Sequence, residues 1–115
     1  MSKDIRLYKK FIDDLVSQRD CVFAKRVRET HLCPQSIASL DNETKETIAK
    51  MLQDARDSGI HDVLVYLNEE MTLNEMRLVL ADTELPVEPF DTEIFYDWVA
   101  RCNGDTWPDE KERAV

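Results

Sequence analysis

Only two of the 115 residues are glycine and four are proline. Tight turns depend on these two residue types, so the chain has little material for a turn-rich β architecture. Apolar residues instead recur at helical spacing, as in the stretch that contains Tyr8, Ile12 and Leu15. The sequence therefore predicts a mainly α fold.

This spacing and the turn residues between the apolar stretches predict about five helices. They cover approximately residues 4–18, 20–29, 41–58, 60–71 and 91–103. Asp41 is expected to cap the third helix, and Gly59 to follow its end. Asn103 and Gly104 are expected to end the fifth.

Before the last helix the apolar period changes. Met76–Leu80 alternates like a strand, 81–84 resembles a turn, and Leu85–Val87 is the expected return strand. We therefore expect one bundle-like helical domain over residues 1–108, with a short β hairpin before the last helix. The charged C-terminal tail, residues 109–115, is expected to fray.

The charge is divided very unevenly between the two halves of the chain. Residues 1–57 hold 11 Lys/Arg and 10 Asp/Glu, whereas residues 58–115 hold 4 and 14. The net charge of −9 therefore comes entirely from the second half. Such acidity argues against binding of nucleic acid or of anionic membrane surfaces, because both require Lys and Arg.

The longest apolar runs, among them Val63–Leu67 and Cys21–Ala24, are too short for a signal-peptide core or a membrane span. Three cysteines, Cys21, Cys33 and Cys102, cannot all pair with one another. An odd number of cysteines without an export signal is typical of free thiols in a reducing compartment. We therefore predict a cytoplasmic protein.

Possible metal ligands are scattered along the chain. They are Cys21, His31, Cys33, His61 and Cys102. Only His31 and Cys33 are close in sequence, and their spacing matches none of the Cys–Cys or His–His pairs of structural zinc sites. We predict no metal site and no cofactor.

Cys33 is the best candidate for a nucleophile, with His31 as its base, because alternate side chains of an extended segment point the same way. The favoured interpretation is a loop cysteine at the edge of the core. A chain whose only glycines are Gly59 and Gly104 has neither a Gly-rich phosphate loop nor a serine nucleophile elbow. We predict no catalytic residue and favour a non-enzymatic protein.

The predicted third and fourth helices have the layout of a helix-turn-helix. The fourth helix carries Asp62, Glu69 and Glu70 and no Lys or Arg, so it would be repelled by phosphate. We interpret the pair as a structural αα-hairpin.

The last helix and the segment after it hold most of the aromatic residues of the acidic half. At 100° per residue, one face of the helix is apolar, with Phe95 and Trp98. The opposite face is polar and holds Glu93, Tyr96, Asp97 and Arg101. Beyond the helix, Trp107 is interpreted as a lid over the core, as an anchor in a partner interface, or as both.

Two functions fit this pattern. The leading hypothesis is a non-enzymatic binding or regulatory module whose acidic surface engages a basic protein partner. Its partner-binding residues would be Glu93, Tyr96, Asp97, Arg101 and Trp107. The sequence indicates no oligomeric state.

The alternative is a small-ligand-binding protein or an enzyme. Its pocket would lie between the last helix, the loop at Phe90 and Trp107, with Asp91, Asp97 or Arg101 as polar groups. Geometry separates the two hypotheses. A concave apolar pocket with one buried carboxylate, or with a contact between Cys33 and His31, would favour a ligand, and a flat or convex acidic face would favour a protein partner.

Overall fold

The fold is mainly α, as predicted, and it includes a short antiparallel hairpin before the last long helix. The computed structural model describes residues 2–29 and 34–111. The elements are α1 Lys3–Ser17, α2 Val22–Arg28, α3 Gln35–Ala38, α4 Asn42–Leu73, β1 Val79–Leu80, β2 Thr83–Glu84, α5 Ile94–Cys102 and α6 Pro108–Lys111. Within the described residues, no helix has the length and apolarity that a membrane crossing requires.

The predicted third and fourth helices are one continuous helix, α4. The prediction that Gly59 ends a helix was wrong, because Gly59 does not have the positive φ of a glycine at that position. A glycine inside a helix costs only about 1 kcal/mol relative to alanine, so the hydrogen-bonded ladder continues through it. The proposed αα-hairpin and its helix-turn-helix layout are therefore absent from this described segment.

The predicted hairpin is present, but its second strand begins earlier in the chain than predicted. Val79 pairs with Glu84 and Leu80 with Thr83, so the strand is β2 and not Leu85–Val87. The turn consists of Ala81 and Asp82, whose φ angles are 50° and 57°. Two positive φ angles are characteristic of a type I′ turn. Such turns usually contain Asn-Gly or Asp-Gly, so the Ala-Asp sequence did not predict one here.

The chain forms two compact units. We call residues 1–18 and 61–115 the acidic unit and residues 19–60 the neutral unit. The acidic unit holds 8 Lys/Arg and 17 Asp/Glu, and the neutral unit holds 7 of each. The single domain over residues 1–108 stays a prediction.

The core of the neutral unit is built from small apolar side chains. Cys21, Ala24 and Val27 come from the start and one face of α2, and Ala49 comes from α4. Phe23, also on α2, is 65% exposed. The predicted cap of α4 is confirmed, since Asp41 accepts a hydrogen bond from the Thr44 amide. His31 and Cys33 lie outside the described residues.

The core of the acidic unit is rich in aromatic side chains. α1 packs against α5 and β2. The buried residues include Tyr8, Ile12, Leu64, Ile94, Trp98 and Trp107. This packing determines which face of α5 is turned inward, and therefore which polar side chains of the helix are buried.

The predicted C-terminal tail begins as part of the fold. Residues 108–111 form α6, and the Lys9 ammonium lies 2.8 Å from Asp109 and 3.2 Å from Glu110. Lys9 is itself buried, with its ammonium beside these two carboxylates. Residues 112–115 lie outside the described residues.

Candidate functional site

A concave pocket of about 160 Å³ opens beside α5 in the acidic unit. Four of the five predicted site residues line it, namely Tyr96, Asp97, Arg101 and Trp107. Glu93, at the N-cap of α5, is not among the residues that line it. Most of the group predicted from sequence is therefore brought together around one pocket.

Local structure explains how α5 and the following loop form the walls. Asp97 and Arg101 are four residues apart, so they lie one above the other on the same helix face. Gly104, with φ +83°, then ends the helix as predicted. Its amide donates to the Arg101 carbonyl and the Asp105 amide donates to the Ala100 carbonyl, both at 3.0 Å, which is a Schellman motif. The chain turns back at this point and carries Trp107 to the pocket.

Asp97 is buried, with only 4% of its surface exposed. One carboxylate oxygen accepts a hydrogen bond from the Tyr8 hydroxyl and the other accepts one from the Thr92 hydroxyl, each at 2.5 Å. The prediction that placed Asp97 on an exposed acidic face was therefore wrong. Burial is tolerated because both oxygens have hydrogen-bond donors.

The donors of Asp97 are neutral. Among the residues that the structure describes, no Lys, Arg or His forms an ion pair with Asp97. Burial raises the pKa of the Asp97 carboxyl, and the hydrogen bonds from Thr92 and Tyr8 offset only part of this effect. Burial also raises the pKa of Tyr8, so its hydroxyl stays a donor. Within the described part of the chain, the site thus contains a buried carboxyl group without a counter-ion.

Arg101 does not supply that counter-ion. Its Nε and Nη2 lie 2.8 and 3.2 Å from the two carboxylate oxygens of Asp13 on α1, and its Nη1 donates to the Asp105 carbonyl. Arg101 thus forms a forked contact with Asp13 on α1 and not an ion pair with Asp97, which lies one turn away on the same helix. The positive charge of Arg101 is therefore already compensated.

Trp107 forms an aromatic wall of the pocket. The indole is 3% exposed and packs against Tyr8 and Phe90, with ring centroids 6.1 and 5.6 Å away. The guanidinium carbon of Arg101 lies 5.0 Å from the indole ring centroid. The structure thus places Trp107 as a lid over the core and, at the same time, as one edge of the pocket.

Tyr96 lies at the mouth of the pocket, and 56% of its surface is exposed. Asp91, a candidate polar group, does not line the pocket; it is exposed, with a φ of 62°. Sequence reasoning missed Tyr8 and Thr92, the two residues that hold Asp97. The one available signal was the position of Tyr8 on a buried stripe, since a buried tyrosine hydroxyl requires a partner.

The remaining candidate ligands form no metal centre within the described residues, where no three or more His, Cys, Asp or Glu come together suitably. Cys21 is a free thiol. Cys21 belongs to the core of the neutral unit, and its role there is packing.

The model of DUF6547, a family of unknown function, matches residues 1–109. The chain belongs to this family. The match spans every residue that lines the pocket and every partner of Asp97. Comparisons with curated proteins and with solved structures gave no match.

Proposed function

We propose that this DUF6547 protein is a non-enzymatic binding protein whose pocket beside α5 takes an organic cation. The observation that carries the proposal is the Asp97 carboxylate, which is buried in the pocket wall and held by two neutral hydroxyls. Buried charges in proteins are usually paired with an opposite charge. A ligand that brings a positive charge would complete this pairing.

The rest of the pocket favours a cation over an anion. Arg101 is neutralised by Asp13, and Asp105 adds a second negative side chain to the lining. Tyr96 and Trp107 contribute aromatic rings to the lining, and a cation near an aromatic ring gains about 0.5–2 kcal/mol. The local charge and the aromatic walls therefore support the same class of ligand.

Two features support binding rather than catalysis. Each oxygen of Asp97 already accepts an internal hydrogen bond, which holds the carboxylate in one orientation. The raised pKa of Tyr8 makes its hydroxyl a poor source of a base. We also propose that the protein acts in the cytoplasm, which is consistent with the free thiol of Cys21.

The test is a titration with n-butylammonium chloride, with n-butanol as the uncharged probe of similar shape. The readout is the NMR signal of the Trp107 indole N–H, assigned with a Trp107→Phe variant. We expect a saturable shift with the ammonium, at a Kd of about 1 mM for so small a ligand, and none with the alcohol. Equal shifts with the two probes would refute a cation site.

A matched pair of variants identifies the responsible group. Asp97→Asn removes the buried charge and keeps the size of the side chain, and it should weaken butylammonium binding about tenfold or more. Asp82→Asn removes the same charge from the exposed hairpin turn, where asparagine also tolerates the positive φ, and it should leave the Kd unchanged. Equal affinities for Asp97→Asn and Asp82→Asn would contradict the role of Asp97.

A further inference from the structure

We infer that the cation that enters this pocket is the side chain of a lysine carried by a basic protein partner. The inference rests on the proposed function, because it names the occupant of the same site. Three observations carry it: the exposed mouth of the pocket, the way Asp97 uses its oxygens, and the charge of the surrounding unit.

The pocket is accessible to a side chain that remains attached to another protein. Tyr96, Asp105, Thr106 and Pro108 line the pocket and are exposed residues, whereas Asp97 and Trp107 are buried. The site thus extends from the protein surface to a buried acid. A long side chain can bridge this path while its backbone stays outside.

The size and the walls fit a lysine. A cavity of about 150 Å³ holds a ligand of benzene size, and the lysine side chain beyond Cα has about as few heavy atoms. Ala100, Trp107 and Pro108 supply apolar surface for the methylene stem. The ammonium would then lie near Asp97, the buried carboxylate among the lining residues.

The hydrogen bonds of Asp97 favour lysine over arginine. An arginine binds a carboxylate best through two parallel N–H donors, one to each oxygen. Both oxygens of Asp97 already accept a hydroxyl, from Tyr8 and from Thr92. An ammonium acts as a compact point charge and needs only one free lone pair, so it can be added to this arrangement.

The charge of the acidic unit favours a protein as the source of that ammonium. The unit has 17 Asp/Glu against 8 Lys/Arg, far more negative charge than one small amine requires. A polycationic protein surface is attracted by all of these negative charges, because the summed charge of a protein accelerates its association with an oppositely charged partner. Glu93, at the N-cap of α5, and the exposed Asp91 and Asp105 add negative charge in the segments that flank and follow α5.

The test compares three short acetylated and amidated peptides. The first has one lysine among glycines and arginines. The second has norleucine in place of that lysine, which keeps the stem and removes the ammonium. The third keeps the lysine and replaces one flanking arginine by citrulline, so its net charge equals that of the second. Affinity is measured by calorimetry and the Trp107 indole N–H signal reports occupancy of the pocket.

We expect the lysine peptide to bind about tenfold tighter than butylammonium and to shift the same indole signal. The norleucine peptide should lose about tenfold in affinity, and the citrulline peptide much less, because only the lysine reaches a buried charge. In Asp97→Asn the lysine and norleucine peptides should bind alike, whereas in Asp82→Asn their difference should persist.

The results separate the inference from the proposed function. If butylammonium binds and the norleucine and citrulline peptides are equally weak, the lysine inference fails while the cation site stands. If butylammonium binds as tightly as the lysine peptide, the ligand is a free amine and the inference again fails. If neither butylammonium nor the lysine peptide binds, both proposals fail.

Discussion

The two compact units use charged side chains in different ways. In the neutral unit, forked ion pairs join Arg28 to Glu46 and Arg19 to Asp57 at or near the surface. In the acidic unit, Asp97 is buried beside an open pocket. Each unit also buries one lysine, Lys45 in the neutral unit and Lys9 in the acidic one. Among the described residues, however, only the acidic unit buries a carboxylate.

This difference distinguishes stabilising charges from a candidate functional one. The ion pairs of Arg28 and Arg19 compensate each carboxylate with a guanidinium, and Lys9 has two carboxylates within 3.2 Å. In the part of the chain that the structure describes, Asp97 has two donors, and both are neutral hydroxyls. A charged group that lowers the stability of the fold and lines a pocket is typical of a site retained for binding.

The two units should differ most in the unfolding free energy that is lost when an aromatic side chain is truncated. Trp107→Ala removes a 3% exposed indole and should lower the free energy of unfolding by about 3–5 kcal/mol. Phe23→Ala removes a ring that is 65% exposed and contacts Arg26, and it should cost less than about 1 kcal/mol. Urea denaturation measures both. Similar losses would show that aromatic packing does not distinguish the two units.

The next largest difference in unfolding free energy should come from breaking a buried ion pair in one unit and an exposed ion pair in the other. Lys9→Met keeps the apolar stem but removes the bonds to Asp109 and Glu110, so we expect a loss of about 1–2 kcal/mol in unfolding free energy. In the neutral unit, Arg28→Met breaks an exposed pair with Glu46, so the unfolding free energy should stay within the error of the measurement. A larger loss for Arg28→Met would reverse this ranking.

Two aspartates should respond to pH with opposite signs. Burial raises the pKa of Asp97 above its ordinary 3.8, so ionisation opposes folding and stability falls as the pH rises through the raised value. The hydrogen bond from Arg19 holds the pKa of Asp57 below 3.8, so the ionised form stabilises the fold until the pH falls through the lowered value.

Asparagine variants make this contrast measurable. Near neutral pH, Asp97→Asn should gain about 1 kcal/mol in unfolding free energy and Asp57→Asn should lose about 1 kcal/mol. The Tyr8 and Thr92 hydroxyls can adapt to the amide because each can also accept a hydrogen bond. Urea denaturation near pH 7.5 and near pH 3.5 should show both differences shrinking in acid. A loss of stability in Asp97→Asn that persists at both pH values would mean that Asp97 is only structural.

The sequence could predict those parts of the fold and of the site that depend on residues close together in the chain. Helices α1, α2 and α5 were predictable because buried residues such as Ile12, Val27 and Trp98 recur at helical spacing. Tyr96 to Trp107 is a single short stretch, so its grouping around one pocket was also within reach of local reasoning. The register of the hairpin was not, because a positive φ at Ala81 leaves no mark in the sequence.

The burial of Asp97 was beyond local reasoning for a different reason. Its partner Tyr8 lies 89 positions earlier in the chain. Arg101 pairs with Asp13, which lies 88 positions before it, and not with Asp97. A helical projection ranks the residues of one helix by their own polarity. It contains no information on a hydroxyl that another helix supplies, and that hydroxyl decides whether a carboxylate can be buried.

The last contrast concerns the two glycines, one in each unit. Gly104→Ala forces a Cβ onto a φ of +83° and should cost about 1 kcal/mol in unfolding free energy. Gly59→Ala adds a good helix former inside α4 and should gain about 0.5–1 kcal/mol. A Cβ at either position meets nothing within 4 Å, so packing cannot account for a difference between them. Thermal denaturation should therefore show opposite shifts in Tm. Shifts of the same sign would mean that α4 does not continue through Gly59, since a glycine that follows a helix end would lose stability just as Gly104 does.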